Sequence, residues 1–310
     1  MSSSGAGRTI RGRLAPEAMF PADDPTIRVR RVALRDGLVI RVAESGAADA
    51  PPVLLLHGWG ASMYMWRGWF APLAAAGFRP VAIDLPGHGL SDKPETAGAY
   101  ALSRQVEILR ELFDLEGLAG ATVVAQSMGG TIALEFALEH STLVGPLVLV
   151  NAACFGRVRL QPLVRLISPS IVDHLLGRVV PRWVVARAHQ LAYAHPARIT
   201  SRDVDEYWAP SQFPAYARAM RRLLHEFHWT RPSADRMAQR LGMLTHRALV
   251  VIGGRDHLVH GAQHYLAALT SAGAPLEVHE MPASGHAVNE EEPAAVLELV
   301  MRFLRAPAHV

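Results

Sequence analysis

Two kinds of hydrophobic pattern occur along the chain. Residues 26–34 and 37–44 alternate apolar with polar side chains, which predicts a half-exposed hairpin at the edge of a sheet. Six further runs are apolar without interruption, and such runs are typical of parallel strands that helices cover on both faces. These runs occupy residues 52–58, 78–85, 121–127, 145–152, 247–254 and 275–281.

Segments with helical character fill most of the gaps between these runs. The last of them begins with acidic residues and Pro293, as the N-terminus of a helix prefers. Because strand and helix alternate, we predict an α/β fold with a doubly wound, mostly parallel sheet of eight strands. The predicted helices span residues 62–76, 102–116, 129–140, 260–272 and 290–305.

One long segment lacks strand runs. Between Phe155 and Arg240 the pattern holds only helix-like pieces, and roughly 85 residues far exceed a crossover, whose minimum is about 10–12. We therefore predict a helical cap that is inserted after the sixth strand. The predicted organisation is a flexible N-terminal tail at residues 1–25, a core at 26–154 and 241–310, and the cap at 155–240.

Composition limits the class of protein. With 50% hydrophobic and 19% charged residues, the chain of 310 residues fits a folded globular protein. Lys and Arg number 31 against 28 Asp and Glu, without long basic blocks, so we expect no nucleic-acid partner.

The single cysteine, Cys154, excludes an internal disulfide, and no Cys/His spacing suits a metal. We predict no cofactor or metal and a cytoplasmic location. An organelle-targeting N-terminus with Arg and Ser is the alternative.

A candidate nucleophile stands at the end of the run 121–127. Functional groups gather outside the carboxyl ends of parallel strands, and Ser127 occupies such an end. A sharp strand-to-helix turn would expose its hydroxyl to a base and to substrate, and it needs small neighbours. Ala125, Gly129 and Gly130 are small, so the pattern is G-x-S-x-G with alanine for the first glycine. From this motif alone, a serine that caps a helix is equally well supported.

Two other stretches of the core carry motifs. "HGWG" ends a strand in glycines whose backbone N–H groups can face a pocket. An oxyanion hole needs two such donors, which we assign to the backbone of Trp59 and of Met128. The alternative is a glycine-rich turn with a core histidine at His57. In "DLPGHG", Asp84 and His88 are predicted to hold a structural turn rather than to act in catalysis.

An acid and a base follow two later strands. Asp256 comes after a buried strand and two glycines, where a carboxylate can orient a histidine and stabilise its imidazolium form. A turn or capping aspartate is the alternative. His286 lies in the loop after the last strand, and a histidine with an ordinary pKa near 6.5 can alternate between base and acid.

The chain order Ser127, Asp256, His286 is the order found in α/β-hydrolases. With "HGWG", "DLPGHGLSD", "AQSMGG", "GGRD" and "SGH", the chain resembles the α/β-hydrolase superfamily over roughly residues 26–306, in particular its capped, esterase-like serine hydrolases. The resemblance implies that Ser127, His286 and Asp256 form a catalytic triad, with the backbone N–H groups of Trp59 and Met128 as the oxyanion hole.

The residue type at the elbow narrows the chemistry. Ser127 argues against the dehalogenases and epoxide hydrolases of the superfamily, which form their covalent ester through a carboxylate. We therefore predict hydrolysis of a carboxylic ester through an acyl-enzyme on Ser127. C–C bond hydrolysis, lactone opening, perhydrolysis and acyl transfer would use the same residues. A ligand-binding protein without activity is the alternative from another class, and an intact triad disfavours it.

The predicted substrate is a small molecule, namely an apolar ester of medium size. Trp59, Met128 and Trp183 are expected to line its pocket. From Arg157 to Arg202 the predicted cap holds eight arginines and one acid, Asp173, among apolar residues. Such a surface predicts weak contact with a membrane, or else a helix that packs on the sheet with its arginines in solvent.

Overall fold

The structure, a computed structural model, describes residues 12–158, 180–229 and 231–306. The strands are β1 (Arg28–Ala33), β2 (Val39–Glu44), β3 (Pro52–Leu56), β4 (Arg79–Ile83), β5 (Ala121–Gln126), β6 (Val144–Val150), β7 (Arg157–Val158), β8 (Ala248–Gly253), β9 (Val259–His260) and β10 (Leu276–Met281). The α-helices of the described residues are α1 (Phe70–Ala75), α2 (Leu102–Leu115), α3 (Met128–Glu139), α4 (Arg182–Ala192), α5 (Ser201–Trp208), α6 (Tyr216–Glu226), α7 (Ala234–Leu241), α8 (Ala262–Ser271), α9 (Val288–Glu291) and α10 (Pro293–Arg305).

Eight strands form the main sheet, in the order β1-β2-β4-β3-β5-β6-β8-β10. The first two strands form an antiparallel hairpin, and β2 is also antiparallel to β4. All other neighbours in this sheet are parallel. Each apolar run predicted from the sequence overlaps one strand, which confirms the mostly parallel sheet. The hairpin lies at the edge of the sheet as predicted, but only β1 is largely exposed, because β2 is buried between β1 and β4.

The core lies on both faces of this sheet. In β3, Leu54 and Leu55 are both buried but belong to different hydrophobic clusters, because successive side chains of a strand point to opposite faces. One cluster contains residues of α2, α3 and α8, and the other contains residues of α1 and α10. Burial on both faces explains the apolar character of β3, β4, β5, β6 and β8. The prediction of a covered apolar strand is wrong for β10, because this edge strand is mostly exposed and carries Glu277 and Glu280.

Two predicted helices are interrupted. The segment 62–76 forms a 3₁₀ helix at Met63–Trp66 and then the short α1. The segment 290–305 divides into α9 and α10, because Pro293 has no backbone N–H and therefore begins a new helix. None of the described helices is long and apolar enough to cross a membrane.

Helices α4 to α7 follow β6, in the segment 155–240 that we call the insertion. The prediction that this segment holds no strand is wrong at one point, because β7 pairs antiparallel with β9. A strand of two residues is too short to produce a periodic pattern in the sequence. Residues 159–179 and 230 of the insertion lie outside the described residues.

Residues 13–20 are packed against the insertion and the core. Arg13 Nε donates to Ser211 Oγ at 3.1 Å, and the backbone N–H of Phe20 donates to Glu206 Oε1 at 2.9 Å. On the core side, Arg41 Nη2 donates to the Phe20 carbonyl at 2.6 Å, and Met19 is buried. The prediction of a flexible tail is therefore wrong for this stretch, while residues 1–11 lie outside the described residues.

Candidate active site

Ser127 stands on a sharp turn between β5 and α3. Its backbone has φ 50° and ψ −114°, a conformation that residues other than glycine rarely adopt. A Cβ on Gly129 would lie 2.6 Å from the His57 carbonyl oxygen, and one on Gly130 would lie 2.6 Å from the Ala152 Cβ. Glycine is therefore needed at both positions, because α3 begins in direct contact with β3 and with the chain after β6.

Ala125 occupies the place of the first elbow glycine. Its methyl group is buried in the core, on a residue that pairs with Leu56 of β3 and Leu149 of β6. The sharp turn at Ser127 forms two residues later all the same. The strand accommodates alanine at this position because the methyl group fills the apolar layer between sheet and helices.

Ser127, His286 and Asp256 form one hydrogen-bonded chain. His286 Nδ1 donates to Asp256 Oδ2 at 2.7 Å, because a carboxylate can only accept, and Nε2 then accepts from the Ser127 hydroxyl at 2.9 Å. The other Asp256 oxygen accepts from the N–H groups of Leu258 and Val259 at 2.8 and 2.9 Å. Burial acts to raise the pKa of Asp256, but His286 and these hydrogen bonds outweigh it and lower the pKa. The structure thus joins the three residues that the sequence singled out.

The loop that carries His286 is fixed by two amide side chains that the sequence analysis missed. Asn151 Nδ2 donates to the carbonyl oxygens of His286 and Gly285 at 2.8 and 2.9 Å, and its Oδ1 accepts from the Gly253 N–H at 2.8 Å. Gln126 Nε2 also donates to the His286 carbonyl, at 3.1 Å. The only signal for these roles was position, since both residues stand at the ends of strands next to the candidate nucleophile and acid.

Glu291 connects the same loop to the insertion. Its Oε2 accepts from the Gly285 N–H at 2.5 Å and its Oε1 from the His195 N–H at 2.9 Å. The Ala287 N–H donates to the Ala192 carbonyl at 3.1 Å, which adds a second connection. In the sequence this glutamate looked like one of several acids at a helix N-terminus, so its role in holding the loop was not predicted.

The two predicted oxyanion donors belong to different elements, with Met128 at the start of α3 and Trp59 on the loop after β3. Within the described part of the chain, neither the Trp59 nor the Met128 N–H donates to a protein acceptor, so both are free to bind an oxygen. His57 and His88 hold this loop: His88 Nε2 accepts from the Gly60 N–H at 3.1 Å, and His57 Nδ1 donates to the Gly58 carbonyl at 2.8 Å. Burial lowers the pKa of both histidines, which keeps their acceptor nitrogens unprotonated.

Asp84 stabilises the neighbouring turn, as the sequence predicted for "DLPGHG". Its carboxylate accepts from the N–H groups of Met63 and Leu90, each at 2.9 Å. A Cβ on Gly89 would lie 2.1 Å from this carboxyl group. The aspartate thus fixes the turn that brings His88 to the loop after β3.

A cavity of about 250 Å³ opens beside Ser127 and His286, between the sheet and the insertion. Trp59 lines it as predicted, and its indole donates to the Met220 carbonyl at 3.1 Å. The polar residues His189, Tyr193, Tyr207 and Glu290 form part of the lining and were not found from the sequence. The other large apolar side chains of the lining are Met65, Val158, Val185, Leu191, Leu224, Trp229, Leu258 and Val259.

Two residues predicted to line the pocket lie elsewhere. The Met128 side chain is fully buried in the core, because the first residue of α3 directs it away from the cavity. Trp183 is 69% exposed on the opposite side of α4 from the cavity. That helix turns Val185, Ala188 and His189 toward the cavity, and the helical period places a residue two positions before Val185 on the far face.

The arginines of the insertion are largely paired where the structure describes them. Arg182, Arg198 and Arg202 form ion pairs with Asp205, Glu292 and Glu206 at 2.6, 2.7 and 2.6 Å. These ion pairs favour a role for the arginines in stabilising the insertion, rather than a role in membrane contact. Arg159, Arg165, Arg178 and Asp173 lie outside the described residues.

Comparison with known proteins gives consistent matches. A family model described as "alpha/beta hydrolase fold" matches residues 51–293. Haloalkane dehalogenase 1 from Mycobacterium bovis is 30% identical over 267 residues, which cover 83% of this chain and 84% of that protein. Two solved structures share the fold. The first is the 2-hydroxy-6-oxo-6-phenylhexa-2,4-dienoate hydrolase from Rhodococcus sp. strain RHA1, with a TM-score of 0.72 and 22% identity. The match covers 91% of this chain and 100% of that protein. The second is an alpha/beta hydrolase fold protein from Burkholderia ambifaria, with a TM-score of 0.71 and 23% identity. The match covers 88% of this chain and 97% of that protein.

Proposed function

Since the chain belongs to the α/β-hydrolase fold family, we propose that this hydrolase cleaves a carboxylic ester through an acyl-enzyme on Ser127. The observation that carries the proposal is the continuous hydrogen-bonded chain from Ser127 through His286 to Asp256 at the edge of the cavity. A serine hydroxyl is a weak nucleophile until a base accepts its proton, and His286 Nε2 is in position to do so.

In the proposed mechanism, Ser127 Oγ attacks the ester carbonyl while its proton passes to His286 Nε2. Asp256, bonded to Nδ1, stabilises the imidazolium that results. The N–H groups of Trp59 and Met128 bind the oxyanion of the tetrahedral intermediate. The intermediate collapses as His286 returns the proton to the leaving alcohol. A water molecule, deprotonated by His286, then attacks the carbonyl carbon of the acyl-enzyme. The bond between this carbon and Ser127 Oγ breaks, His286 returns the proton to Ser127, and the acid is released.

The nature of residue 127 separates this chemistry from that of the dehalogenase relative. Displacement of a halide through a covalent ester requires a carboxylate nucleophile, whereas the elbow of this chain carries a serine. A serine with a histidine base favours attack on a carbonyl carbon. C–C bond hydrolysis, lactone opening, perhydrolysis and acyl transfer need the same groups, and product analysis distinguishes them from ester hydrolysis.

The cavity supports an ester with an apolar portion of medium size. Its volume of about 250 Å³ lies near the lower end of typical ligand pockets, and Trp59, Leu224 and Trp229 make much of its wall apolar. Burial of an acyl or alcohol chain against these side chains would contribute binding energy at roughly 25 cal/mol per Å². Short or charged esters lack this contribution.

A chain-length series of p-nitrophenyl esters tests the proposal. We expect kcat/KM to reach its maximum at a medium acyl length, and Ser127→Ala to lower kcat by about 10³- to 10⁶-fold, because triad variants keep residual catalysis. Ser271→Ala, at an exposed serine of α8, is the matched control and should retain full activity. Equal turnover by the wild type and Ser127→Ala would refute Ser127 as the nucleophile. Halide release from a 1-haloalkane series would point instead to dehalogenation.

A further inference from the structure

One side of the cavity carries a group of polar side chains that the proposed mechanism does not use. His189 lies in α4, Tyr193 directly follows this helix, Tyr207 lies in α5 and Glu290 in α9. We call these four residues the polar wall. Much of the remaining lining is apolar. In ligand pockets a few fixed polar groups within an apolar lining determine orientation and specificity, so the wall is a candidate for substrate recognition.

The polar wall is held in place from behind by Arg67. This guanidinium donates to Glu290 Oε1 at 2.6 Å, and Tyr207 donates its hydroxyl to the same oxygen at 3.0 Å. A second nitrogen of Arg67 lies 2.9 Å from Asp203 Oδ1, which also accepts from the Tyr64 hydroxyl at 2.8 Å. The Glu290 carboxylate therefore cannot swing freely, and a group that binds it meets a fixed geometry.

The charges around the wall do not cancel. One guanidinium, Arg67, faces two carboxylates, Asp203 and Glu290, which leaves an excess of negative charge. His189 adds no positive charge at neutral pH, because burial lowers its pKa to about 4. Burial raises the pKa of Glu290, although Arg67 and Tyr207 act against this. A further anion beside the Asp203 and Glu290 carboxylates would be repelled by them and is therefore unfavourable.

We propose that the polar wall binds an uncharged hydroxyl group of the substrate, at a site away from the scissile ester. This inference rests on the proposed ester hydrolysis and narrows its substrate class to hydroxy esters. A hydroxyl can accept from the Tyr193 hydroxyl and donate to Glu290, so it satisfies both kinds of wall group. A carboxylate can only accept and would face excess negative charge, and a methyl group can form neither of these two hydrogen bonds.

Three series of methyl esters test the inference. The esters of straight-chain acids, of the matching ω-hydroxy acids and of the matching dicarboxylic acids are compared by kcat/KM at several chain lengths. At the length that spans the cavity, the ω-hydroxy ester should exceed the unsubstituted ester by at least about tenfold, and the ω-carboxylate should fall below it by a similar factor. A wild-type enzyme without hydroxyl preference at any length would overturn the inference.

Substitutions in the wall assign the preference to its residues. Glu290→Gln keeps the shape but removes a negative charge, so the penalty against the ω-carboxylate should shrink by about tenfold. Tyr193→Phe removes only a hydroxyl and should lower the preference for the ω-hydroxy ester to near one. Gln190→Leu, at an exposed residue of α4 next to His189, should retain both wild-type ratios. Retention of both ratios in Glu290→Gln and Tyr193→Phe would contradict the assignment.

A binding measurement separates the inference from the proposed function. The Ser127→Ala variant is titrated calorimetrically with the ω-hydroxy ester and with the unsubstituted ester. Tighter binding of the ω-hydroxy ester would support the wall even if the wild type hydrolysed neither compound, in which case the proposed function alone fails. Equal affinities together with normal ester hydrolysis would refute the wall and leave the proposed function intact.

Discussion

Ser127 shows how strongly single residues constrain the site. The backbone of Ser127, with φ 50°, is strained, and contacts with the surrounding structure must hold it in this conformation. Such strain is typical of functional positions. The turn forms because Gly129 and Gly130 allow α3 to start in contact with β3 and Ala152. The sequence showed the need for small residues here, but the atoms they contact depend on strands that are distant in the chain.

The fit at Gly129 can be tested by adding one methyl group. In Gly129→Ala, the new Cβ would lie 2.6 Å from the His57 carbonyl oxygen, so α3 must move away from β3. We expect the free energy of unfolding, measured by urea denaturation, to fall by about 2 kcal/mol. The rate of ester hydrolysis should fall as well.

Gly68→Ala is the matched control for this variant. Gly68 is exposed, and the nearest atom to its added Cβ would be 3.9 Å away. Stability should change by less than about 0.5 kcal/mol. If Gly129→Ala were as stable and active as Gly68→Ala, the contact between α3 and β3 would not constrain the elbow.

At the scale of elements, the site depends on how strand ends and loops are joined. The ends of β5, β8 and β10 were predictable, because apolar runs define strands and parallel strands end at one edge of the sheet. The hydrogen bonds from Asn151 to the loop of His286 were not predictable. They depend on the pairing of β6 with β8 and on a positive φ of 42° at Asn151, neither of which leaves a periodic pattern.

Asn151→Asp tests this positioning role. Aspartate tolerates a positive φ, but its carboxylate would face the carbonyl oxygens of Gly285 and His286, to which the amide now donates. We expect kcat to fall by about 100-fold, because displacement of the base by about 1 Å has an effect of this size. Asn151→Gly keeps the backbone conformation without the repulsion, so its loss should be smaller. Wild-type kcat in Asn151→Asp would show that the amide does not position His286.

For the whole molecule, the layered core could be predicted from the sequence, but the contacts that join its segments could not. The buried parallel strands and the intervening helices follow from the hydrophobic pattern alone. The packing of residues 13–20 could not be predicted, because it rests on single long-range contacts of Arg13 and Phe20 with the insertion. The polar wall was not predicted either, since its residues come from segments that are distant in the chain.

Removal of the N-terminal segment measures its contribution. Deletion of residues 1–25 removes the buried Met19 and the hydrogen bonds of Arg13 and Phe20, so the free energy of unfolding should fall by about 3 kcal/mol. Deletion of residues 1–11 keeps these contacts and serves as the control. Equal denaturation midpoints for the two truncated proteins would contradict a stabilising role for residues 13–20.

Stability should also depend on pH through His189. Its pKa is lowered to about 4 in the folded protein, so between pH 6.5 and 4 the unfolded chain binds a proton that the folded chain does not. The stability from this difference is complete above pH 6.5 and is lost as the pH falls. Between pH 7.5 and 5.0, the wild type should therefore lose about 2 kcal/mol more than His189→Gln in urea denaturation. Equal losses would show that His189 titrates normally in the folded protein.

The central claim, that Ser127 is the nucleophile, is tested most directly by trapping its covalent intermediate. The protein is treated with an alkylphosphonate p-nitrophenyl ester, and the adduct is located by mass spectrometry of the intact chain and of its peptides. We predict one adduct per chain, on the peptide that contains Ser127, with parallel loss of ester hydrolysis and no adduct in Ser127→Ala. Modification of a different residue, or ester hydrolysis that continues after Ser127 is fully modified, would contradict the account.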